Sequence, residues 1–375
     1  MSVIVGGGLS HAAPSPARLG LHRASLASRI ASAAVADRYA RGMPAIRPSR
    51  LPRPHRPRRL SRPRRGEATG APRIVVVGDL VLDVVLAPAE PIVIGTDVAG
   101  RVSIVQGGSA ATTARWLARL GAHSSMIAAV GRDSAGRALV KAMEADHVTM
   151  RVVRVAGATT GRIGVLVAPG GERSFVTDRG AALQLGANDL KAAWFVDADL
   201  LHLTVYSLLG VPLHDSGLRA IQLARASGAS VSLDLASIGP LLAGGRRAAR
   251  DLIAEIAPDV LFATAAEAEA LLGGHALSEL LAYAKVAVVK RGPKGATILA
   301  RTDAEPVRFE VATARLAAAD TTGAGDAFDA GFLAAWLDSR AGGRSLPASL
   351  HRAAMAGHRA AGRQLSTPRP ELTLG

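Results

Sequence analysis

The stretch of the sequence best suited to chemistry is a run of nine residues, Asp-Thr-Thr-Gly-Ala-Gly-Asp-Ala-Phe, at 320–328. Three small residues, Gly323, Ala324 and Gly325, precede the carboxylate of Asp326, and an apolar segment with helical spacing follows. A glycine-rich turn that begins a helix leaves backbone N–H groups unpaired, and these can bind an anion. A neighbouring carboxylate can accept a proton from a hydroxyl group. The two features together could transfer a phosphoryl group to an alcohol.

The full string resembles a signature of the PfkB/ribokinase family of carbohydrate and nucleoside kinases, Asp-Thr-x-Gly-Ala-Gly-Asp-x-Phe, and fills every defined position. The shorter Gly-Ala-Gly-Asp has a plain structural alternative, because Asp is a good helix-start residue. The resemblance implies an ATP- and Mg²⁺-dependent kinase in which Asp326 deprotonates the acceptor hydroxyl and the 323–325 N–H groups bind the phosphoryl group. It also places Asp320 and Thr322 where family members often bind a monovalent cation such as K⁺.

A second set of residues resembles the family's sugar site. Gly107 and Gly108 lead into an apolar helix, and Asp83 follows the first strand with the family's spacing. In the family, the di-glycine lets a sugar approach the backbone and the Asp binds sugar hydroxyls; Asp79 competes here for that second role. Thr112 stands where the family usually has Asn, so it keeps one hydroxyl but lacks the second donor of an amide.

Two further segments resemble family motifs for the metal and the nucleotide. Glu267 ends a Thr-x-x-Glu string that is similar to the family's Asn-x-x-Glu, whose Glu organises Mg²⁺ through water. A first-turn acid stabilised by the helix dipole is the structural alternative. The strand and turn at 288–296 resemble the nucleotide loop, which implies nucleotide contacts for Lys290, Gly292, Lys294 and Gly295. No Walker A string occurs in the chain.

The elements that must position these residues alternate between strands and helices. Short apolar and β-branched runs recur at 74–77, 200–203, 230–233, 260–263 and 286–289. Between them lie helical stretches rich in alanine and leucine, at 109–120, 217–226 and 265–272. This order predicts a mainly parallel sheet covered by helices on both faces. The resemblance implies a ribokinase-like, Rossmann-type three-layer αβα domain, and the alternating segments at about 84–106 and 151–180 predict a small β lid.

The positive charge of the chain is concentrated at its N-terminus. The net charge is +15, and residues 1–72, with fourteen arginines and two acidic residues, carry +12 of it. Proline and arginine at this density predict a disordered extension, followed by a kinase domain at 73–375. A poorly defined extension or misassigned start, a targeting segment and an anionic-surface binder all remain open.

Composition excludes several other classes of function. The chain has no cysteine, so it has no thiol nucleophile or thiolate metal site, and 3% aromatic residues is too few for a base-stacking surface. No apolar run approaches the ~20 residues of a membrane helix. We expect a cytoplasmic monomer or homodimer that binds a sugar or nucleoside, not nucleic acid. A sugar- or nucleotide-binding sensor is the alternative, because Thr112, Thr264 and Ala182 replace three asparagines of the family.

Overall fold

The computed structural model describes residues 70–168, 172–316 and 320–374. The extension predicted at 1–72 lies outside these residues, except for its last three. Thirteen strands lie in the described part: β1 (Arg73–Val77), β2 (Val81–Pro88), β3 (Gly100–Gly107), β4 (His123–Gly131), β5 (Thr149–Val155), β6 (Thr160–Val167), β7 (Arg173–Gly180), β8 (Leu200–Thr204), β9 (Ser230–Asp234), β10 (Val260–Thr264), β11 (Val286–Lys290), β12 (Ala296–Ala300) and β13 (Val307–Val311).

Nine of these strands form one large sheet in the order β13-β12-β11-β10-β9-β8-β1-β4-β5. Neighbouring strands from β11 to β5 pair in parallel, whereas β12 and β13 return antiparallel at one edge. The five predicted strand runs all lie in the parallel part. Their continuous apolar character follows from burial on both faces of the sheet.

The other four strands form a small sheet in the order β3-β2-β6-β7. The pairs β2–β3 and β6–β7 are antiparallel, and β2 and β6 are parallel. The segment 149–155 overlaps the region in which the sequence predicts lid strands, but it forms β5, an edge strand of the large sheet. Its alternating pattern arises because an edge strand has both covered and exposed positions.

Helices cover both faces of the large sheet: α1 (Ser109–Arg119), α2 (Ser134–Ala145), α3 (Leu213–Ala226), α4 (Ile238–Leu241), α5 (Gly245–Ile256), α6 (Ala265–Leu272), α7 (Ala324–Ala341) and α8 (Leu346–Ser366). The side chains of β1 show how the layers form: Ile74 and Val76 pack with α1, α2, α7 and α8, whereas Val75 and Val77 pack with α3 to α6. The result is the expected three-layer αβα arrangement. Within the described ranges, no helix has the length and apolar character of a membrane span.

The parallel strands bring chemically active residues to one edge of the sheet. Asp79 follows the end of β1, while Asp234 and Lys290 are the last residues of β9 and β11. The carboxyl ends of parallel strands form the crevice in which ligands bind in open α/β sheets. Helix α7 is anchored below this edge by Phe328 and Phe332, which are buried in the core as their spacing predicts.

Candidate active site

The glycine turn at 323–325 forms the start of helix α7. Gly323 adopts a left-handed conformation (φ 77°), which glycine reaches without steric cost, and precedes the first helical residue. Asp326 lies in the first turn, where the backbone N–H groups have no partner four residues earlier. The N–H of Ala324 is partly used, because it lies 3.3 Å from the carbonyl oxygen of Thr321. The turn therefore offers N–H groups of the helix start beside a carboxylate.

The carboxylate of Asp326 is held by a hydroxyl group from the opposite side of the crevice. Ser109 Oγ donates to Asp326 Oδ1 at 2.5 Å. Burial raises the pKa of Asp326 to about 7; the Ser109 hydrogen bond and the charge of Lys290 lower it, and the charges of Asp234 and Asp79 raise it. A carboxylate with a pKa near neutrality can accept a proton and release it again at physiological pH.

Behind this turn lies a buried lysine cluster, which consists of Lys290, Asp234 and Asp329. Lys290 Nζ is 3.2 Å from Asp234 Oδ1 and 3.0 Å from Asp329 Oδ2. Burial lowers the pKa of Lys290, but the two carboxylates outweigh it and hold the pKa above its ordinary value. A Cβ placed on Gly325 would be 3.4 Å from Lys290 Nζ, so the cluster packs directly under the glycine turn.

Strand β8 adds a buried histidine near the cluster. The Nδ1 atom of His202 is 3.0 Å from Ser232 Oγ, and burial lowers the pKa of His202 to about 4. The ring is therefore neutral at physiological pH. The His202 ring packs edge-on against Phe262, whose own ring lies 5.7 Å from Lys290 Nζ.

The structure separates the two lysines that the resemblance assigns to the nucleotide. Lys290 is committed to the buried cluster, whereas Lys294 is exposed in the short turn between β11 and β12. Gly292 and Gly295 flank Lys294 in that turn. A Cβ on Gly295 would be 2.1 Å from the carbonyl oxygen of Val311, so this glycine permits a close approach of β13.

The predicted sugar-binding carboxylate already has a partner. Asp83 Oδ2 accepts a 2.8 Å hydrogen bond from Arg369 Nη1, and both side chains are largely buried. Burial raises the pKa of Asp83, although the hydrogen bond and charge of Arg369 lower it. Gly107 lies against this pair, because a Cβ there would be 1.9 Å from Asp83 Oδ1. Packing against Asp83 therefore accounts for a glycine at 107, whether or not a ligand binds there.

Asp79, the competing carboxylate, occupies the start of helix α1. Asp79 Oδ1 accepts from the N–H of Ala110 at 3.3 Å, and Arg179 lies 3.8 Å from Asp79 Oδ2. The guanidinium of Arg179 stacks on the ring of Tyr206 at 3.9 Å. Gly108, with φ 100°, would place a Cβ only 2.3 Å from the carbonyl oxygen of Asp79. Gly108 is the N-cap residue of α1, and the hydroxyl of Ser109 is bound to Asp326.

The three residues that replace family asparagines have local roles. Thr112 Oγ1 donates to the carbonyl oxygen of Gly108 at 2.9 Å, so its hydrogen is used within helix α1. Ala182 is buried in a short 3₁₀ turn after β7. Thr264 caps helix α6 and forms a capping box with Glu267. None of the three side chains offers the two free donors of an amide.

Glu267 combines the capping role with a position near other acidic groups. Its Oε2 accepts from the N–H of Thr264 at 2.7 Å. Burial raises the pKa of Glu267, and the charge of Asp234 raises it further. In the part of the chain described, no three His, Cys, Asp or Glu side chains are grouped to hold a metal. A single carboxylate such as that of Glu267 suits a Mg²⁺ ion that is bound mainly by water and phosphate oxygens.

In front of the glycine turn lies an arginine clasp, which consists of Arg173, Arg369 and Asp320. Arg173 Nη1 is 3.2 Å from Asp320 Oδ1, and Arg369 Nη2 is 3.4 Å from Asp320 Oδ2. Arg173 also donates to the hydroxyl oxygens of Thr321 and Thr322. Burial raises the pKa of Asp320, but the hydrogen bonds from Thr322 and the two guanidinium charges hold it below its ordinary value.

Similarity to solved structures places this arrangement in a known fold. The structure of adenosine kinase from Sinorhizobium meliloti superimposes with a TM-score of 0.67 at 25% identity, and covers 81% of this chain and 98% of that one. The architecture is therefore that of a ribokinase-type α/β kinase.

The family follows from the sequence comparison. The model for the pfkB family carbohydrate kinases matches residues 71–371, and the chain belongs to this family. Mouse ribokinase is 29% identical over 283 residues, which are 71% of this chain and 82% of that protein. Rice fructokinase-1 is 30% identical over 264 residues, or 67% and 79% of the two chains. The protein is thus a carbohydrate kinase, a phosphotransferase, and binding of ATP with magnesium follows from the family.

Several residues and contacts of the site could not be identified from the sequence motifs. Ser109 directly follows Gly107 and Gly108, but nothing in the sequence connects its hydroxyl to Asp326, 217 residues away. Asp234 could have been found as an acid that ends a buried strand run. Asp329 lies one helical turn after Asp326, the spacing that puts two residues on one face. Arg173 and Arg369 carry no local signal, since forty arginines occur in the chain.

Proposed function

We propose that the protein transfers the γ-phosphoryl group of ATP to a hydroxyl group of a free sugar, with Asp326 as the base. The observation that carries the proposal is the hydrogen bond of 2.5 Å between Ser109 and Asp326 at the start of α7. It fixes a carboxylate with a pKa of about 7 beside the N–H groups of the glycine turn. Proton acceptor and anion-binding groups are then adjacent, as phosphoryl transfer to an alcohol requires.

The N–H groups of 323–325 stabilise negative charge on the transferred phosphoryl group. These N–H groups lie at the N-terminal, positive end of the α7 dipole, and the buried lysine cluster packs beneath the turn and supports it. Lys290 acts through the turn and does not contact the nucleotide. The exposed turn that carries Lys294 remains the proposed place for the ribose and phosphates of ATP.

Glu267 is the residue proposed to help hold Mg²⁺, through water. The ion supplies neutralisation of the phosphate charge when it is bound. The raised pKa of Glu267 is consistent with such a site, because a carboxylate that is destabilised by burial and by Asp234 gains from a nearby cation.

A sugar is a better acceptor for this site than a nucleoside on two grounds. The relatives named for a sugar, ribokinase and fructokinase, align over about four fifths of their own lengths. The predicted sugar site is built from charged and hydroxyl-bearing side chains: Ser109 binds Asp326, Asp79 lies beside Arg179, and Asp83 pairs with Arg369. Polar groups of this kind bind the hydroxyls of a sugar, whereas the purine or pyrimidine ring of a nucleoside would need an apolar stacking surface.

The proposal is tested by a screen of ATP consumption with the full-length protein, Mg²⁺, and a panel of hexoses, pentoses, keto-deoxy sugar acids and nucleosides. The expected result is consumption of ATP with at least one sugar, and a product heavier by one phosphate in the mass spectrum. Phosphorylation of nucleosides alone would contradict the choice of substrate class. Binding without turnover, seen as a raised melting temperature, would favour the sensor.

A further inference from the structure

The segment 320–322 is the part of the site where the sequence and the structure disagree. The resemblance gives the carboxylate of Asp320 and the hydroxyl of Thr322 to a monovalent cation. In the structure both oxygens of Asp320 are bound by guanidinium groups, Oδ1 by Arg173 and Oδ2 by Arg369. Asp320 Oδ1 also accepts from the N–H of Thr322 at 2.8 Å. The oxygens that a cation would need are therefore already bound.

The same donors also occupy the hydroxyls of the segment. Arg173 Nη1 donates to Thr322 Oγ1, and Arg173 Nη2 donates to Thr321 Oγ1. A guanidinium group presents its donors in a rigid fork and stays protonated at any working pH. A potassium ion at this place would lie against two fixed positive charges, which repel it. The residues present do not fit K⁺.

Both arginines are held in position by structure that lies outside the segment. Arg173 begins strand β7 of the small sheet. Arg369 follows helix α8, in a C-terminal segment that is attached to β3 by the hydrogen bond from Leu372 N–H to the Ile104 carbonyl oxygen at 2.8 Å. The ion pair between Arg101 and Glu371, also at 2.8 Å, adds little to this attachment, because its side chains are 77% and 55% exposed. The side chains of Arg173 and Arg369 are only 20% and 14% exposed.

We propose that Arg173 and Arg369 act as internal cations that position the segment before the glycine turn, so that this kinase needs no monovalent cation. Arg173 connects the segment to the small sheet, and Arg369 connects it to the sugar-site carboxylate Asp83. The two arginines are positioning residues, because they act on the turn through Asp320, Thr321 and Thr322. The inference rests on the proposed kinase reaction only for its rate measurements.

The first test uses the unaltered full-length protein. Its melting temperature and its rate with an accepted sugar are measured at about 100 mM KCl, NaCl or tetramethylammonium chloride, so that screening by salt is the same in each. The expected result is the same melting temperature in the three salts, and rates that agree within about twofold, a difference too small to reflect a bound catalytic cation. A rise in melting temperature or rate that is specific to K⁺ would overturn the proposal. The melting temperature needs no substrate, so it decides the question even if the kinase reaction fails.

The second test uses Arg173→Gln, with Arg101→Gln as the matched control. Both arginines belong to the small sheet and form one ion pair, but Arg101 binds Glu371 and does not contact the 320–322 segment. Arg173→Gln should lower kcat about tenfold or more with little change in sugar KM, since a displaced catalytic turn loses rate before binding. Arg101→Gln should keep the parent kcat. Equal kcat values for the two variants would overturn the positioning role.

The third test asks whether a cation can replace the removed charges. In Arg173→Gln/Arg369→Gln the carboxylate and hydroxyl oxygens are released, and hard oxygens bind K⁺. The melting temperature of this double variant should rise with KCl relative to tetramethylammonium chloride, whereas that of the parent should not. If KCl does not raise the melting temperature of the double variant, the arginines do not replace a bound cation.

Discussion

Two groups of paired charges flank the same glycine turn, and they differ in how they are built. The buried lysine cluster lies behind the turn, where Lys290, Asp234 and Asp329 come from β11, β9 and α7 and have side chains 11%, 4% and 0% exposed. The arginine clasp lies in front, where Asp320 is 45% exposed and its partners come from the small sheet and the C-terminal segment.

This difference in burial predicts different roles for the lysine cluster and the arginine clasp. Charges inside the core cannot lose a partner without a large cost in free energy of unfolding, because water cannot reach the group left behind. In the clasp the carboxylate of Asp320 is 45% exposed, so water can reach it when a partner is lost, and its pairs contribute less to stability. We therefore infer that the cluster supports the folded state of α7, whereas the clasp mainly sets the geometry of the turn.

The largest effect is expected at the lysine of the cluster. Lys290→Met should lower the free energy of unfolding by about 3 to 5 kcal/mol, because it leaves two buried carboxylates unpaired. Lys285→Met is the matched control: its ion pair with Asp259 is as short, at 2.7 Å, but the Lys285 side chain is 74% exposed. That control should cost about 0 to 1 kcal/mol. Urea denaturation measures both, and equal losses would remove the distinction.

The next effect concerns Asp326, the proposed base, which lies between the two regions. The pKa of Asp326 is about 7, so kcat/KM should rise with pH through about 7 as the carboxylate loses its proton. Ser109→Ala removes a hydrogen bond that lowers this pKa, and should move the rise to higher pH by about one unit, on the order of 1.4 kcal/mol. Thr113→Val is the control, because Thr113 reaches only the main-chain oxygen of Asp326. A shift in the control and none in Ser109→Ala would contradict the assignment.

The sign of the accompanying stability change is fixed by the same pKa. Because the pKa of Asp326 is higher in the folded protein than in the unfolded chain, its contribution to stability is complete below about pH 4 and is lost as the pH rises through about 7. Asp326→Asn should therefore be more stable than the parent by about 1 kcal/mol at pH 8, after allowance for partial exposure of the side chain. At pH 4 the two proteins should be about equally stable. Thermal denaturation at the two pH values checks this, and a gain that is larger at pH 4 would contradict it.

The smallest effect on stability is expected at the clasp. Arg173→Gln should change the free energy of unfolding by less than about 1 kcal/mol, because Asp320 remains accessible to water and to Arg369. The loss of kcat in Arg173→Gln should nevertheless exceed the loss in Arg101→Gln, which breaks a different ion pair of the small sheet. Urea denaturation and steady-state kinetics measure the two quantities on one preparation. A loss of stability as large as that of Lys290→Met would place the clasp with the cluster.

The sequence predicts the part of the molecule in which local pattern and fold agree. The five apolar runs form parallel strands, and 265–272 is a helix with the predicted bounds. The small sheet is predicted less well, because an edge strand and a lid strand share the same alternation, as at 149–155. The pairings around Asp326 could not be predicted, because they join residues 39 to 286 positions apart through the fold. The ion pair between Asp83 and Arg369 is the clearest example, because the sequence shows an acid and an arginine but not that they are in contact.

The proposed proton transfer to Asp326 predicts a large loss of rate in Asp326→Asn. The matched control is Asp338→Asn, a carboxylate on the same helix with a side chain 66% exposed. Single-turnover phosphorylation of an accepted sugar with ATP and Mg²⁺ should be slower by about 10²- to 10⁴-fold in Asp326→Asn and unchanged in the control. A rate in Asp326→Asn close to that of the parent would contradict the mechanism.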